Sequence, residues 1–173
     1  MTGIPASGKT TIGRLVATEF GLTLLDKDEI LESLFENLGI GNTDWRRELS
    51  RQADKILQEK ALETDGAVII SWWRHPLSQT DSGTPITWFS LLQGNIIELY
   101  CFCSPLIACQ RFMSRQRHRG HLGELKAENE LLKELKDHAI LGKLGVDQFI
   151  EINTERDINP TRIFEEIRTK SCL

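Results

Sequence analysis

The strongest constraint on this chain lies at its N-terminus, where residues 3–10 read Gly-Ile-Pro-Ala-Ser-Gly-Lys-Thr. This segment fits the phosphate-binding loop pattern G-x-x-x-x-G-K-[ST] at every fixed position. Gly3 and Gly8 let the backbone approach a polyphosphate closely, because they carry no side chain. The amides of the loop then point at the phosphate oxygens, with the positive end of the following helix behind them. We therefore predict a nucleotide site.

The side chains of this P-loop predict individual roles. Lys9 adds a positive charge that we expect on the β- and γ-phosphates of ATP, and Thr10 offers a hydroxyl to Mg²⁺. The predicted ATP contacts in this segment are Gly3, Ile4, Pro5, Ala6, Ser7, Gly8, Lys9, Thr10 and Thr11. A glycine-rich turn that only caps a helix is the alternative. The apolar side of the following helix, with Ile12, Leu15 and Val16, argues against it.

The sequence before the P-loop is unusually short. Only Met1 and Thr2 precede Gly3, whereas a P-loop normally follows a buried strand of about 5–6 residues. Either the first strand is missing, through truncation or a misplaced start, or the sheet has a gap near its centre. A gap would leave backbone groups of the neighbouring strands unpaired, at about 1–3 kcal/mol for each buried group. We therefore expect that a segment upstream of Met1 is missing.

Composition limits the class of protein and its partners. With 173 residues and a net charge of -4, the chain has the size of one domain, spanning residues 1–173. The negative charge argues against nucleic acid or a membrane surface as a general partner. No apolar run approaches the ~20 residues needed to cross a bilayer, so we expect a cytoplasmic protein. The four cysteines fit no metal pattern and are expected to be free thiols. No feature indicates an oligomeric state.

Short apolar segments alternate with helical patterns along the rest of the chain. Strands are predicted at 22–25, 67–71, 96–102 and 148–152. Such alternation predicts a parallel sheet covered by helices on both faces, the three-layer α/β/α architecture of P-loop NTPases, with ligands at the carboxyl ends of the strands. Asp28 is the expected N-cap of a helix that begins at residue 29. Residues 72–85 show no periodic pattern, and this length is typical of a binding loop.

Two aspartates after the first predicted strand are the candidates for metal and proton chemistry. A P-loop protein often carries a carboxylate at the end of the strand 67–71, but Ser71 stands there. Asp26 and Asp28 share one side of the chain if the backbone stays extended. We predict that one of them orients a water bound to Mg²⁺ while the other accepts the proton of the attacking hydroxyl, with Asp28 as the candidate for the catalytic role. Alternatively, Asp28 is only a helix cap and Asp26 a solvated turn residue.

A basic cluster follows the third predicted strand. Its members are Arg111, Arg115, Arg117 and Arg119. A solvated helix face and a nucleic-acid contact are two explanations of such a run. In a P-loop kinase a mobile lid, here about residues 115–124, fits better. It would close over ATP and bring the catalytic arginines Arg115, Arg117 and Arg119 to the phosphates. Gly120 and Gly123 would let the lid move, and no aromatic platform for nucleic acid is interleaved.

Three further predictions concern side chains outside these motifs. Arg74, just after a strand end, is expected to grip an anionic or hydroxylated acceptor. Arg111 lies deeper on its helix and is expected to stack on adenine or to pair with an acid. His118 and His121 lack a third metal ligand nearby, so a metal site is not expected there. The tryptophans are expected mainly in the core.

The P-loop, followed by a short strand and the Asp26-x-Asp28 pair, resembles shikimate kinase and gluconate kinase. In those enzymes the first acid helps to hold the waters of Mg²⁺ and the second binds and activates the acceptor hydroxyl. Three longer segments are similar to the AAA-type predicted small kinases near zeta toxin and chloramphenicol phosphotransferase: 25–30, 82–85 and 111–121. The resemblance also implies that Thr154 lies where related kinases hold adenine with backbone groups.

These observations predict an ATP-dependent phosphotransferase that moves the γ-phosphate of Mg-ATP to a hydroxyl of a small molecule. One alternative is a toxin-like kinase that acts on a polynucleotide or a sugar nucleotide. Another is an ATP-binding module without turnover. A GTPase switch is disfavoured because the guanine motif [NT]-K-x-D does not occur in the sequence. The identity of the acceptor does not follow from the sequence.

Overall fold

The computed structural model describes residues 1–121 and 127–171. Within these ranges the chain forms four strands, β1 (Thr23–Asp26), β2 (Ala67–Ile70), β3 (Ile97–Phe102) and β4 (Gln148–Asn153). The same ranges contain six α-helices, which are α1 (Lys9–Phe20), α2 (Lys27–Leu38), α3 (Thr43–Glu63), α4 (Pro105–Ser114), α5 (Glu128–Ala139) and α6 (Pro160–Ser171). Two short 3-10 helices span Thr87–Leu91 and Arg119–His121.

The strands form two parallel pairs, β1 with β2 and β3 with β4. Met1 and Thr2 lie between the two pairs. The backbone nitrogen of Met1 donates to the carbonyl oxygen of Ile69 at 2.7 Å. Thr2 donates to the carbonyl oxygen of Leu99 at 2.9 Å and accepts from the amide of Cys101 at 3.0 Å. Two residues therefore stand between β2 and β3, where a full strand was expected, and they link the two pairs.

The register brings the ends of the strands to one edge of the fold. Asp26 lies opposite Ile70 in the first pair, and Phe102 lies opposite Asn153 in the second. The P-loop leaves Thr2 at the same edge, because Thr2 pairs in parallel with Tyr100 of β3. Ligands of open parallel sheets bind at the carboxyl ends of the strands. This edge is therefore where a site is expected.

Helices cover both faces of the strands. On one face α1 and α6 pack over a buried core that includes Ile12, Val16, Val68, Ile70, Leu99, Ile150, Ile152, Ile163 and Ile167. On the other face α3 packs against Leu25, Trp73 and Trp88, while α4 and α5 cover Ile4 and Cys103. Each fully buried aliphatic side chain contributes about 1.5–3 kcal/mol of hydrophobic stabilisation. The predicted three-layer α/β/α arrangement is confirmed.

The start of α2 differs from the prediction. The helix begins at Lys27, directly after β1, and its N-cap is Asp26 rather than Asp28. An N-cap needs an extended backbone, and Asp26 has one, with φ -103° and ψ 119°. Its Oδ1 atom accepts from the amide of Asp28 at 3.0 Å. The backbone is therefore not extended through Asp28, and the prediction that both aspartates share one side of a strand is wrong.

The sequence predicted free thiols for the cysteines. Cys101, Cys103 and Cys109 are buried free thiols, and Cys172 lies outside the described residues. Burial raises the pKa of Cys101 to about 11, so this thiol stays protonated at neutral pH. No helix in the described ranges combines the length and the apolar character needed to cross a membrane.

Candidate active site

The P-loop has the backbone geometry of an anion cradle. Gly3, Ala6 and Gly8 have φ values of 125°, 59° and 87°, in the left-handed region that favours glycine. A Cβ atom on Gly3 would lie 2.0 Å from the carbonyl oxygen of Cys101, so only glycine fits there. Gly8 is the N-cap of α1 and supplies no side-chain bond to the first turn. The amides of that turn are therefore available to a bound anion.

Two side chains of the loop fit a polyphosphate. Ser7 is fully buried, and its Oγ atom has no hydrogen-bond partner among the described residues. Because a buried hydroxyl without a partner costs about 1–3 kcal/mol, this atom is suited to meet a ligand. The Nζ atom of Lys9 donates to the carbonyl oxygens of Gly3 and Ile4, both at 2.9 Å. Burial lowers the pKa of Lys9, a cost that a phosphate would offset by favouring the charged form.

Thr154 supports the P-loop from beneath. Its Oγ1 atom donates to the carbonyl oxygen of Ser7 at 3.0 Å, and its amide donates to Phe102 at 2.9 Å. Arg111 donates to the Oγ1 atom of Thr154 at 3.1 Å and to its carbonyl oxygen at 2.7 Å. The backbone groups predicted to hold adenine are thus engaged within the protein. Likewise Arg111 is bound to Thr154 rather than to an acid, because β4 ends directly under the loop.

Thr10 and Asp26, the two residues predicted to hold Mg²⁺, contact each other directly. Thr10 Oγ1 donates to Asp26 Oδ2 at 3.0 Å. Burial is the main reason that the pKa of Asp26 is raised, and the charge of Asp28 adds to it. Mg²⁺ usually takes one or two protein oxygens and completes its shell with waters and substrate phosphates. Two oxygen side chains suit that role, and the described residues contain no group of three or more acidic, His or Cys side chains that could hold a metal by itself.

Asp28 faces the lid arginines. Its carboxyl is half exposed, and Oδ2 lies 3.6 Å from the Nη2 atom of Arg117. The guanidinium of Arg117 also stacks over the ring of Phe112, 4.8 Å from its centroid. Burial lowers the pKa of Arg117, and the negative charge of Asp28 opposes that shift. The structure therefore brings together the predicted base and one predicted lid arginine.

Residues 118–121 of the predicted lid pack on α2. His121 is buried, and its Nε2 atom lies 2.8 Å from Glu32 Oε1. The ring of His118 stacks on Phe35 with centroids 5.4 Å apart. A Cβ atom on Gly120 would lie 2.3 Å from the Phe35 ring. Gly120 was predicted to give the lid mobility, but here its missing side chain allows close packing.

The remaining lid predictions are only partly visible. Arg115 and Arg119 are exposed, so a role at the phosphates stays a prediction for both. Residues 122–124 of the predicted lid, including Gly123, lie outside the described residues. Of the three arginines assigned to catalysis, the structure thus places only Arg117 against another predicted site residue.

Arg74 lies in the long loop after β2. Its guanidinium pairs with the carboxylate of Asp81 and donates to the carbonyl oxygen of the same residue at 3.0 Å. Its backbone amide donates to Thr84 at 2.8 Å. The side chain is therefore held within its own loop, although its buried Nε atom has no partner among the described residues. Contact between Arg74 and an acceptor stays a prediction.

Arg46 was not among the predicted site residues. It lies on the first turns of α3, where burial lowers its pKa and the nearby charge of Asp28 acts against that shift. Its Nε atom is buried without a partner in the described part of the chain. A helix N-terminus disfavours cations, so the basic pair Arg46-Arg47 was a usable signal. Its neighbour Arg47 is exposed and pairs with Asp44 at 3.2 Å.

Solved structures with the same fold are P-loop kinases. A putative kinase from Chloroflexus aurantiacus J-10-fl superposes with a TM-score of 0.76 at 22% identity, covering 98% of this chain and 95% of that one. Shikimate kinase from Bacteroides thetaiotaomicron gives a TM-score of 0.55 at 18% identity, over 97% and 92% of the two chains. Shikimate kinase from Acinetobacter baumannii, solved with shikimate, gives 0.55 at 17% identity, over 96% and 90%. The predicted P-loop NTPase fold is confirmed.

Sequence comparison points to one group of these kinases. The shikimate kinase family model matches residues 5–69, from within the P-loop to the start of β2. Shikimate kinase from Corynebacterium jeikeium (strain K411) is 39% identical over 72 residues, which are 39% of this chain and 37% of the relative. The Mycobacterium ulcerans (strain Agy99) enzyme is 34% identical over 73 residues, 39% and 38% of the two chains. The match thus spans less than two fifths of these relatives. The predicted likeness to P-loop small-molecule kinases near shikimate kinase is confirmed.

Proposed function

We propose that this protein is an ATP-dependent kinase that transfers the γ-phosphoryl group of Mg-ATP to a hydroxyl of a small anionic molecule. The observation that carries the proposal is the pair of aspartates at the end of β1. Asp26 bonds Thr10 of the P-loop, while Asp28 lies next to Arg117. One carboxylate is therefore at the metal position and the other is available to an acceptor. The likeness to shikimate kinases supports the same activity.

In this proposal the P-loop holds the nucleotide. The free amides of the first turn of α1 and the hydroxyl of Ser7 bind phosphate oxygens. Lys9 exchanges its bonds to Gly3 and Ile4 for bonds to the β- and γ-phosphates. Thr10 and Asp26 hold Mg²⁺, which when bound neutralises charge on the phosphates.

The transfer step needs positioning more than covalent chemistry. The acceptor oxygen bonds to the γ-phosphorus while the bond from that phosphorus to the β,γ-bridging oxygen breaks, and ADP leaves. Asp28 takes the proton of the acceptor hydroxyl. Arg117, at 3.6 Å from this carboxylate, stabilises the negative charge that develops on the transferring group.

The charges around Asp28 indicate the class of acceptor. The negative charge of Asp28 acts on both Arg46 and Arg117, and the Nε atom of Arg46 lacks a partner among the described residues. Guanidinium groups with free donors bind carboxylates and phosphates, often in a bidentate manner. The acceptor is therefore a hydroxylated anion. Shikimate, a hydroxylated carboxylate bound by the Acinetobacter baumannii relative, is the first compound to test.

A product screen tests the proposal. The protein is incubated with Mg-ATP and with shikimate, other hydroxylated carboxylates, sugar nucleotides or a 5′-hydroxyl oligonucleotide, and phosphorylated products are detected by mass spectrometry. We expect product from a small hydroxylated anion, and much slower product formation by Asp28→Asn, which still binds Mg-ATP. Arg46→Gln should raise the KM of that acceptor, while Arg47→Gln, its exposed neighbour, should not.

Other outcomes would contradict the proposal. Product from the oligonucleotide or the sugar nucleotide alone would replace the acceptor class with that of a toxin-like kinase. Binding of Mg-ATP without product from any compound would indicate an ATP-binding module without turnover. No binding of Mg-ATP at all would exclude each of these functions.

A further inference from the structure

A chain of polar side chains lies behind the two aspartates. The Nζ atom of Lys27 is 2.6 Å from Asp54 Oδ1, and the same oxygen accepts from Thr84 Oγ1 at 2.7 Å. Ser71 Oγ lies 2.5 Å from Thr84 Oγ1. Lys27, Thr84 and Ser71 are all buried, and the side chain of Asp54 is only 20% exposed. These four residues, which we call the Asp54 chain, join α2, α3, the end of β2 and the loop 72–85.

The direction of these hydrogen bonds follows from the chemistry of the groups. An ionised carboxylate can only accept, so the single hydroxyl hydrogen of Thr84 is directed at Asp54. Ser71 must then donate to Thr84. Lys27 adds a charged donor to the same carboxylate oxygen. Asp54 is thus the shared partner of Lys27 and Thr84, and Ser71 is linked to it through Thr84.

One end of the Asp54 chain orients the catalytic aspartates. Lys27 stands between Asp26 and Asp28, and its side chain is drawn inward to Asp54. The carboxylates on either side are consequently directed elsewhere, Asp26 to Thr10 and Asp28 toward Arg117. Since α2 begins at Lys27 without a connecting segment, the position of this lysine also sets the first turn of the helix.

The other end closes the loop 72–85. The amide of Thr84 donates to the carbonyl oxygen of Trp72 at 2.7 Å, and its own carbonyl accepts from Arg74 at 2.8 Å. These two bonds bring the ends of the loop together, and residues 75–83 connect them. Ser71 hydrogen-bonds to Thr84 and so links these joined ends to the carboxyl end of β2, at the edge of the fold where ligands bind.

We propose that Asp54 is a positioning residue that sets the loop 72–85 against Asp28, and that this loop forms part of the acceptor site. A buried ion pair often stabilises a fold no better than apolar side chains of similar volume. Four groups from separate elements, however, hold those elements in one relative position. The proposal rests on the proposed kinase function and deepens it by naming the segment that selects the acceptor.

Steady-state kinetics test the proposal. Thr84→Val keeps the shape of the side chain but breaks the bonds to Asp54 and Ser71, and we expect about a tenfold rise in the KM of the acceptor. The KM of ATP and kcat should stay within about twofold, and Thr84→Ser should restore the acceptor KM. Asp54→Asn removes the charge at the junction and should raise the acceptor KM and also lower kcat. Thr161→Val, at an exposed site on α6 and outside the loop, is the matched control and should change neither constant.

The outcomes separate this proposal from the kinase function itself. An unchanged acceptor KM in Thr84→Val, or an equal change in the KM of ATP, would overturn the positioning role. Amide hydrogen exchange of the nucleotide-free protein gives a readout that needs no turnover. If the wild type forms no product, the kinase function fails. Faster exchange at residues 72–84 in Thr84→Val would then still support the link from Asp54 to the loop, and unchanged exchange would overturn it.

Discussion

Replacing Gly3 with alanine should destabilise the protein and abolish Mg-ATP binding, whereas the same change at Gly21 should have a small effect. Both glycines have positive φ values, 125° and 63°. They differ in their surroundings. A Cβ atom on Gly21 meets nothing within 4 Å, but one on Gly3 would lie 2.0 Å from the backbone oxygen of Cys101. That oxygen belongs to β3 and cannot move aside as a side chain could.

The size of the difference can be worked from these contacts. A left-handed backbone costs an alanine roughly 1–2 kcal/mol, which is the whole penalty expected at Gly21. At Gly3 the steric conflict adds about 1–3 kcal/mol, typical of an overpacked site. With a urea m-value of about 2 kcal/mol/M, an extra 2 kcal/mol lowers the unfolding midpoint by about 1 M.

Urea unfolding followed by circular dichroism, with calorimetric titration of Mg-ATP, measures both effects. Gly21→Ala should retain nucleotide affinity, because it lies at the far end of α1. Gly3→Ala should lose both stability and binding, because the loop must shift to admit the methyl group. Equal midpoints for the two variants, or normal nucleotide affinity in Gly3→Ala, would refute the argument that this close approach shapes the loop.

Three further results are expected. Lys9→Met should abolish ATP turnover measured by ADP release, because the loop loses its charged donor to the phosphates. Asp28→Asn should lower the transfer rate by about 10²–10⁴-fold with unchanged Mg-ATP affinity, and equal rates would eliminate Asp28 as the base. Because the pKa of Asp26 is raised, the nucleotide-free protein should lose stability as pH rises from the ordinary carboxyl range through that raised value. Mg-ATP should favour the charged form, so its affinity should rise over the same pH range, and Asp26→Asn should flatten both dependences in pH-resolved unfolding and titration.

Much of the fold could be predicted because its signals are local. The P-loop pattern, the helix that follows it and the four strands are all read from neighbouring residues. The N-cap of α2 was predicted at Asp28, two residues after its actual position at Asp26. The sequence around the two aspartates does not show that β1 passes directly into a helix. The centre of the sheet was also hard to foresee, since Met1 and Thr2 find their partners in β2 and β3.

The parts of the site that escaped prediction depend on contacts distant in sequence. Asp54 and Thr84 are 30 residues apart, and each is an ordinary polar residue in its own segment. Arg46 could have been noticed from its unfavourable place at a helix start, but its approach to Asp28 depends on how α2 packs on α3. Thr154 was expected to contact adenine because the resemblance to related kinases indicates its position along the chain. The resemblance does not indicate which groups form hydrogen bonds with Thr154.

The bond between Thr154 and Ser7 spans 147 positions of the chain. During synthesis on a ribosome, the P-loop therefore emerges long before β4, the strand that leads to its support at Thr154. Contacts between such remote segments form late and slow down folding. The nucleotide pocket should thus mature only after β4 has been translated, and a nascent chain halted before β4 should not be retained on immobilised ATP.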